Sequence, residues 1–255
     1  MIIRLLRKLH RYWYLGAVLV CFLPFFPFLL IVGRHPDKYF HHIVICRRII
    51  GFLSSALSGF FYRFTSDNMS DQGPCIIVAN HTSELDITAL VLALKADFAF
   101  IGKHELLDNP VTGTFFRTID IAVNRSSKMS SFKAYKRAAD LLQKGRSVVI
   151  FPEGQITDEF PPSLQPFKNG AFKLAIEQQV PLLPIVIHDA WKLYWDDAAA
   201  FGSRPGICHV EMLHVINTTG MQVSQADELR DHVHQLFEQR LASEQFVTKP
   251  AVSRL

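Results

Sequence analysis

Short apolar runs rich in Val, Ile and Phe alternate along most of this chain with longer stretches whose apolar positions recur every three or four residues. The runs predict strands near Cys75–Ala79, Phe98–Gly102, Ile121–Asn124, Ser147–Phe151, Leu183–Ile187 and Cys208–Leu213, bounded by Gly, Pro or Asn. Helical spacing, as at Phe132, Tyr135, Ala139 and Leu142, predicts helices near Asp86–Leu94, Asn109–Phe116, Ser130–Lys144, Gly170–Gln178 and Gln225–Leu241. Alternation of this kind argues for an α/β layer fold.

The N-terminal part has a different pattern. Tyr12 to Gly33 is 22 residues without a charge, and Ile49 to Tyr62 is a further 14. The first stretch reaches the length of a spanning helix. Pro24 and Pro27 interrupt it, however, and cations flank both ends, so the positive-inside rule assigns no orientation. The favoured reading is a helix from about Ile3 to Leu23, broken at Leu23-Pro24, that turns and returns as a shallow monotopic hairpin. Tyr12, Trp13 and Tyr14 then sit at headgroup level; a single span is the alternative. The region is longer than a secretory signal needs, and no small-x-small cleavage site follows it. The expected organisation is a membrane-anchoring helical region over 1–64, an α/β domain over 65–245 and a frayed tail over 246–255.

Charge divides the same way. Residues 1–48 hold eight cations against Asp37 alone, a balance of +7, which leaves −3 for the remainder of a chain of net charge +4. A basic, aromatic, apolar N-terminus on a near-neutral body fits a lipid surface and excludes a nucleic-acid partner. Cys21, Cys46, Cys75 and Cys208 are widely spaced, as expected of buried inert thiols in a reducing compartment. Eleven histidines occur without H-E-x-x-H or paired His/Cys spacing, so no metal is expected.

Candidate chemistry sits at the strand ends. Cys75–Ala79 runs into Asn80-His81-Thr82-Ser83-Glu84-Leu85-Asp86. A neutral imidazole takes a proton near physiological pH, and a carboxylate on its other nitrogen fixes the tautomer. No Ser or Cys stands in a G-x-S-x-G context, so the substrate would bring the hydroxyl that His81 activates. The plainer reading makes Asp86 a helix N-cap and His81 a loop residue. Further along, Ile119–Val123 leads into Asn124-Arg125, Val148–Phe151 into Pro152-Glu153-Gly154, and Val180 to Ile187 carries Pro181 and Pro184. Lys103 follows the strand at Phe98 and either meets the same anion as Arg125 or is solvated.

These four segments, in order over about residues 71–213, resemble the blocks of the glycerolipid acyltransferases, specifically the bacterial 1-acyl-glycerol-3-phosphate acyltransferases. The resemblance implies an α/β fold with a mixed sheet flanked by helices behind an N-terminal apolar membrane-associating segment. It implies acyl transfer from acyl-CoA or acyl-acyl carrier protein to the free hydroxyl of lysophosphatidic acid, giving phosphatidic acid, with no cofactor. His81 becomes the general base oriented by Asp86, and backbone N–H groups near the Asp86 helix start become oxyanion donors. Asn80, Lys103, Arg125, Glu153, Gly154 and Lys168 become the substrate-binding residues. Arg125 takes the acceptor phosphate, Glu153 positions acceptor hydroxyls or holds the loop, and Gly154 lets backbone approach the ligand. The implied location is the inner membrane, with the site on its cytoplasmic face.

One departure matters. Many family members continue the third block with Thr-Arg, where this chain has Gln155-Ile156-Thr157-Asp158-Glu159. Acids beside a phosphate site repel it unless they point away. Lys168 is the nearest downstream cation to compensate. The alternatives are another lysolipid acceptor, lysophosphatidylethanolamine or a lyso-ornithine lipid, a non-catalytic lipid-binding protein, or a thioester hydrolase.

Overall fold

The computed structural model describes residues 2–66, 73–195 and 202–243; the expected frayed tail lies outside them. In chain order the elements are α1 (Ile2–Phe22), α2 (Phe26–Val32), α3 (Phe40–Leu57), β1 (Phe60–Ser66), β2 (Ile76–Ala79), α4 (Leu85–Ala93), β3 (Phe98–Lys103), α5 (Thr112–Phe116), β4 (Ile121–Val123), α6 (Lys128–Gln143), β5 (Ser147–Ile150), α7 (Gly170–Glu177), β6 (Leu182–Ile187), α8 (Ala190–Leu193), β7 (Gly206–Met212) and α9 (Ala226–Ala242). The strands form one mixed sheet ordered β1-β7-β6-β2-β5-β3-β4, in which β6 with β7 is the antiparallel pair.

All six predicted strands are present. The seventh, β1, falls partly within the uncharged stretch that ends at Tyr62, where Phe60-Phe61-Tyr62 fits the end of an apolar run as well as it fits a strand. Its parallel pairing with β7 runs from Phe60–Gly206 to Ser66–Met212, across the expected boundary after residue 64. The helix expected from Asn109 is shorter. Pro110 cannot sit inside a helix, Asn109 Oδ1 accepts from the Val111 and Thr112 N–H groups, and α5 starts only at Thr112.

The N-terminal hairpin also turns later than expected. Pro24 and Pro27 fall in the first turns of a 3-10 segment (Leu23–Phe25) and of α2, where a missing N–H costs nothing. The chain therefore continues to Val32, reverses at Gly33–Tyr39, and returns as α3 packed along α1. Inward-facing Tyr14, Phe22, Leu29, Phe40 and Ile43 join the same buried cluster as the sheet. The outward side stays apolar, with Ile2, Ile3, Leu6, Trp13, Val20 and Ile31 exposed. Ile2–Val32 and Phe40–Leu57 are long and apolar enough to cross a membrane, and a continuous exposed apolar face of this kind marks a surface made for lipid or protein.

Right-handed crossovers fix which helix lies where. β2→β3 and β4→β5 run in opposite directions across the sheet, so α4 and α6 cover opposite faces. The hairpin packs on the α4 side, and α7 and α9 pack together on the other. All four cysteines are buried and unpaired, as expected.

Candidate active site

β2 is buried along its whole length between β5 and β6, and its end is pinned by Asn80. The Asn80 amide donates to Ile187 O and accepts from Ile187 N–H, both at 2.8 Å, with the residue 1% exposed. Asn80 therefore ties β2 to β6, and it does not line the cavity described below.

The following loop wraps around Asp86, in the first turn of α4. One carboxylate oxygen, Oδ2, accepts from the Thr82 and Ser83 N–H groups at 2.6 and 2.8 Å and lies 3.1 Å from His81 Nδ1. Asp86 is fully buried, and its Oδ1 has no hydrogen-bond partner. The capping and orienting readings of Asp86 are thus one arrangement: the carboxylate that shapes the loop also holds the ring. Thr82 and Ser83 cannot then be the oxyanion donors expected near this helix start. Ser83 Oγ adds a bond to Tyr194 O at 2.7 Å. The His81 ring stacks on Phe151, with centroids 3.9 Å apart, and lines a cavity with its Nε2 edge not engaged by Asp86.

That cavity has a volume of about 680 Å³. Its walls come from the N-terminal hairpin (Leu15, Val18, Ile50), from α4 (Ile87, Val91) and from the β3 and α5 side (Phe100, Phe116). Its charged and titratable lining comprises His81, Glu84, Lys103 and Arg125 with the buried pair Arg47 and Asp120, and Ser54, Thr88, Asn109 and Thr112 add neutral polar groups. The hairpin's part in this cavity and the Arg47–Asp120 pair were not read from the sequence. The partners lie 73 residues apart, with no local spacing to signal them.

Glu153, Gly154 and Lys168 are brought together, but outside the cavity lining. Glu153 accepts from the His81 N–H at 2.7 Å and the Gln165 N–H at 2.9 Å, so it holds the loop, the second of its two expected roles. Gly154 has φ +82°, and a Cβ there would come within 2.6 Å of Lys168 Nζ. Its missing side chain makes room for Lys168 rather than for a ligand. Lys168 crosses Gly154 and lies outside the lining that includes Arg125. Asp158 and Glu159 are exposed and also lie outside the lining, which removes the repulsion expected of them.

Burial pushes the Glu153 carboxyl up to about 7, against the two N–H bonds that favour its charge. A carboxyl raised in the folded state holds its proton more tightly folded than unfolded. The stability this contributes is complete below about pH 4.5 and is lost as pH rises to about 7, a change on the order of 3 kcal/mol. Glu153→Gln cannot titrate. The unfolding midpoint of the wild type is expected to fall relative to that of the variant between those pH values; parallel curves would contradict the assignment.

The chain matches the family described as Acyltransferase over residues 62–188, a segment that contains the His81 loop, Arg125 and Glu153. It belongs to the acyltransferase family. Among its relatives in this family are the chloroplastic 1-acyl-sn-glycerol-3-phosphate acyltransferase of Brassica napus, 33% identical over 66% of this chain, and the human 1-acyl-sn-glycerol-3-phosphate acyltransferase beta, 31% identical over 65%. An uncharacterised acyltransferase of Schizosaccharomyces pombe is 28% identical over 72%. The matched region spans 47%, 59% and 65% of these three proteins' own lengths, respectively. The fold is that of the crystal structure of the 1-acyl-sn-glycerophosphate (LPA) acyltransferase PlsC from Thermotoga maritima. The TM-score is 0.71 at 22% identity, covering 93% of this chain and 94% of that one.

Proposed function

We propose that this acyltransferase-family chain moves an acyl group from an acyl thioester to the free hydroxyl of 1-acyl-glycerol-3-phosphate, forming phosphatidic acid. The observation that carries this reading is one cavity that joins an Asp86-held imidazole, the cations Lys103 and Arg125 and largely apolar walls. His81 Nε2 takes the hydroxyl proton as the acceptor oxygen adds to the thioester carbonyl. The tetrahedral intermediate collapses, the C–S bond breaks, and the imidazolium returns the proton to the leaving thiolate. Asp86 keeps Nδ1 protonated throughout. The apolar walls take the acyl chain and keep water from competing as nucleophile.

Arg125 offers the acceptor phosphate a bidentate fork, with Lys103 as a second charge. Arg125→Ala is expected to raise KM for lysophosphatidic acid by about 10- to 100-fold, the worth of a charge-assisted hydrogen bond. An unchanged KM would remove Arg125 from the phosphate site. A second reading, an acceptor with a zwitterionic headgroup, draws on Lys168 standing away from the cavity where many relatives have a third-block arginine. Equal concentrations of lysophosphatidic acid, lysophosphatidylethanolamine and a lyso-ornithine lipid separate the two by which is acylated fastest.

The exposed apolar side of the hairpin supports a monotopic seat on the inner membrane, with the site on the cytoplasmic side where acyl thioesters are made. Membranes washed with carbonate are expected to retain the chain; its release would rule out this anchor.

A further inference from the structure

The first half of α6 carries a surface that the acyl-transfer cavity does not use. Met129 and Phe132 are each 64% exposed, and with Lys133 and Lys136 they fall on one helical stripe opposite buried Ala134 and Ala138. Lys128 flanks them. Among the described residues these three lysines have no ion-pair partner, and no acid occurs from Arg125 to Ala139. Two apolar side chains held in water inside a field of unpaired cations call for an acidic surface with its own apolar centre.

The position says what that partner delivers. Arg125, on the cavity lining, stands three residues before Lys128. The intervening loop is locked to the helix: Ser130 Oγ accepts from Asn124 N–H at 2.9 Å, and Ser127 Oγ caps the helix by accepting from Ser130 N–H at 3.2 Å. At 1.5 Å per residue the patch extends about 12 Å along α6 from this turn, within reach of a flexible prosthetic arm. α6 lies on the sheet face opposite α4, and the turn of the hairpin meets only its second half, where Asp37 pairs with Arg137 and Lys144. A soluble partner can therefore approach the first half while the hairpin is seated on lipid.

Resting on the acyl-transfer reading above, we infer that the Met129–Lys136 stripe of α6 is the docking surface for an acidic carrier protein that presents the acyl thioester on an arm. Coenzyme A is a small polyanion whose adenine ring and pantetheine arm offer far less apolar surface than a protein face to cover both Met129 and Phe132, so the stripe favours the carrier protein.

The test compares one acyl chain carried by purified acyl carrier protein and by coenzyme A, using wild type, Met129→Ser/Phe132→Ser and Lys133→Glu/Lys136→Glu. These exposed positions leave the fold intact, which unchanged unfolding midpoints check. Both variants are expected to raise KM for the carrier-borne donor at least about tenfold, with kcat and the coenzyme A reaction unaltered, and added salt should raise the wild-type carrier KM. Equal loss with both donors, no loss with the carrier, or a wild type that uses only coenzyme A would overturn the inference while leaving acyl transfer standing. So would weakened flotation of the variants with anionic vesicles, which would make the stripe a membrane contact. If wild type transferred from neither donor, the activity reading would fail by itself. Fluorescence anisotropy with labelled apo-carrier would then decide the surface: binding weakened tenfold by Lys133→Glu/Lys136→Glu supports it, and no binding to wild type overturns it.

Discussion

His81→Ala is expected to lower acyl transfer from a radiolabelled thioester to lysophosphatidic acid by on the order of 10²- to 10⁴-fold, with KM for both substrates little changed. Under the proposed mechanism the loss falls on kcat, because the ring would act at the proton-transfer step while the cavity and Arg125 remain. Asp86→Asn tests the same arrangement from behind. An amide can accept from the Thr82 and Ser83 N–H groups, so much of the loop persists, but it cannot stabilise an imidazolium on Nδ1. A His81→Ala protein that folds and retains its rate would remove the general-base mechanism even if phosphatidic acid were the product.

The second large effect concerns Arg47 and Asp120. The Arg47 guanidinium bonds both Asp120 oxygens at 2.8 and 3.1 Å and donates to Phe98 O at 2.8 Å, while Asp120 also accepts from the Phe100 N–H. Phe98 and Phe100 lie against the guanidinium, with ring centroids 4.4 and 5.0 Å from Cζ. Both charged side chains are nearly excluded from water. Removing one partner leaves the other charge buried alone, so Arg47→Met or Asp120→Leu is expected to cost about 3–5 kcal/mol. The double variant should recover most of that, since an apolar pair of similar volume bears no desolvation cost. Thermal unfolding of the four proteins in detergent gives the cycle. Additive losses in the double variant would mean that the two residues act independently.

What could be read in advance follows the range over which each interaction acts. His81 and Asp86 are five residues apart on a strand-to-helix turn, so one local spacing contains their geometry. The central strands are buried on both faces and therefore carry continuous β-branched runs, as at Ile76–Ala79 and Val148–Ile150. β1 has no such mark, because it is an edge strand with one buried position, Phe60, and only its partner β7 makes it a strand. The hold of Glu153 on the His81 backbone depends on two loops meeting, which no local spacing signals. The tie from the Asn80 amide to Ile187 at the end of β6 spans 107 residues and has no local signal either. The cavity has no local signal, since part of its wall belongs to the N-terminal helices, whose pattern announces only lipid.

That shared wall has a practical consequence for anyone seeking a soluble fragment. Cutting the chain before β1 would remove the apolar outer face, but Tyr14, Leu15, Val18, Ile50 and Gly51 would go with it. The remaining α/β body would present α4 and β3 bare to solvent and have no enclosed place for an aliphatic tail. Shortened forms are therefore expected to aggregate rather than dissolve. Grafting an anchor from another protein would not rebuild the cavity, because in this chain the apolar hairpin is also part of its wall.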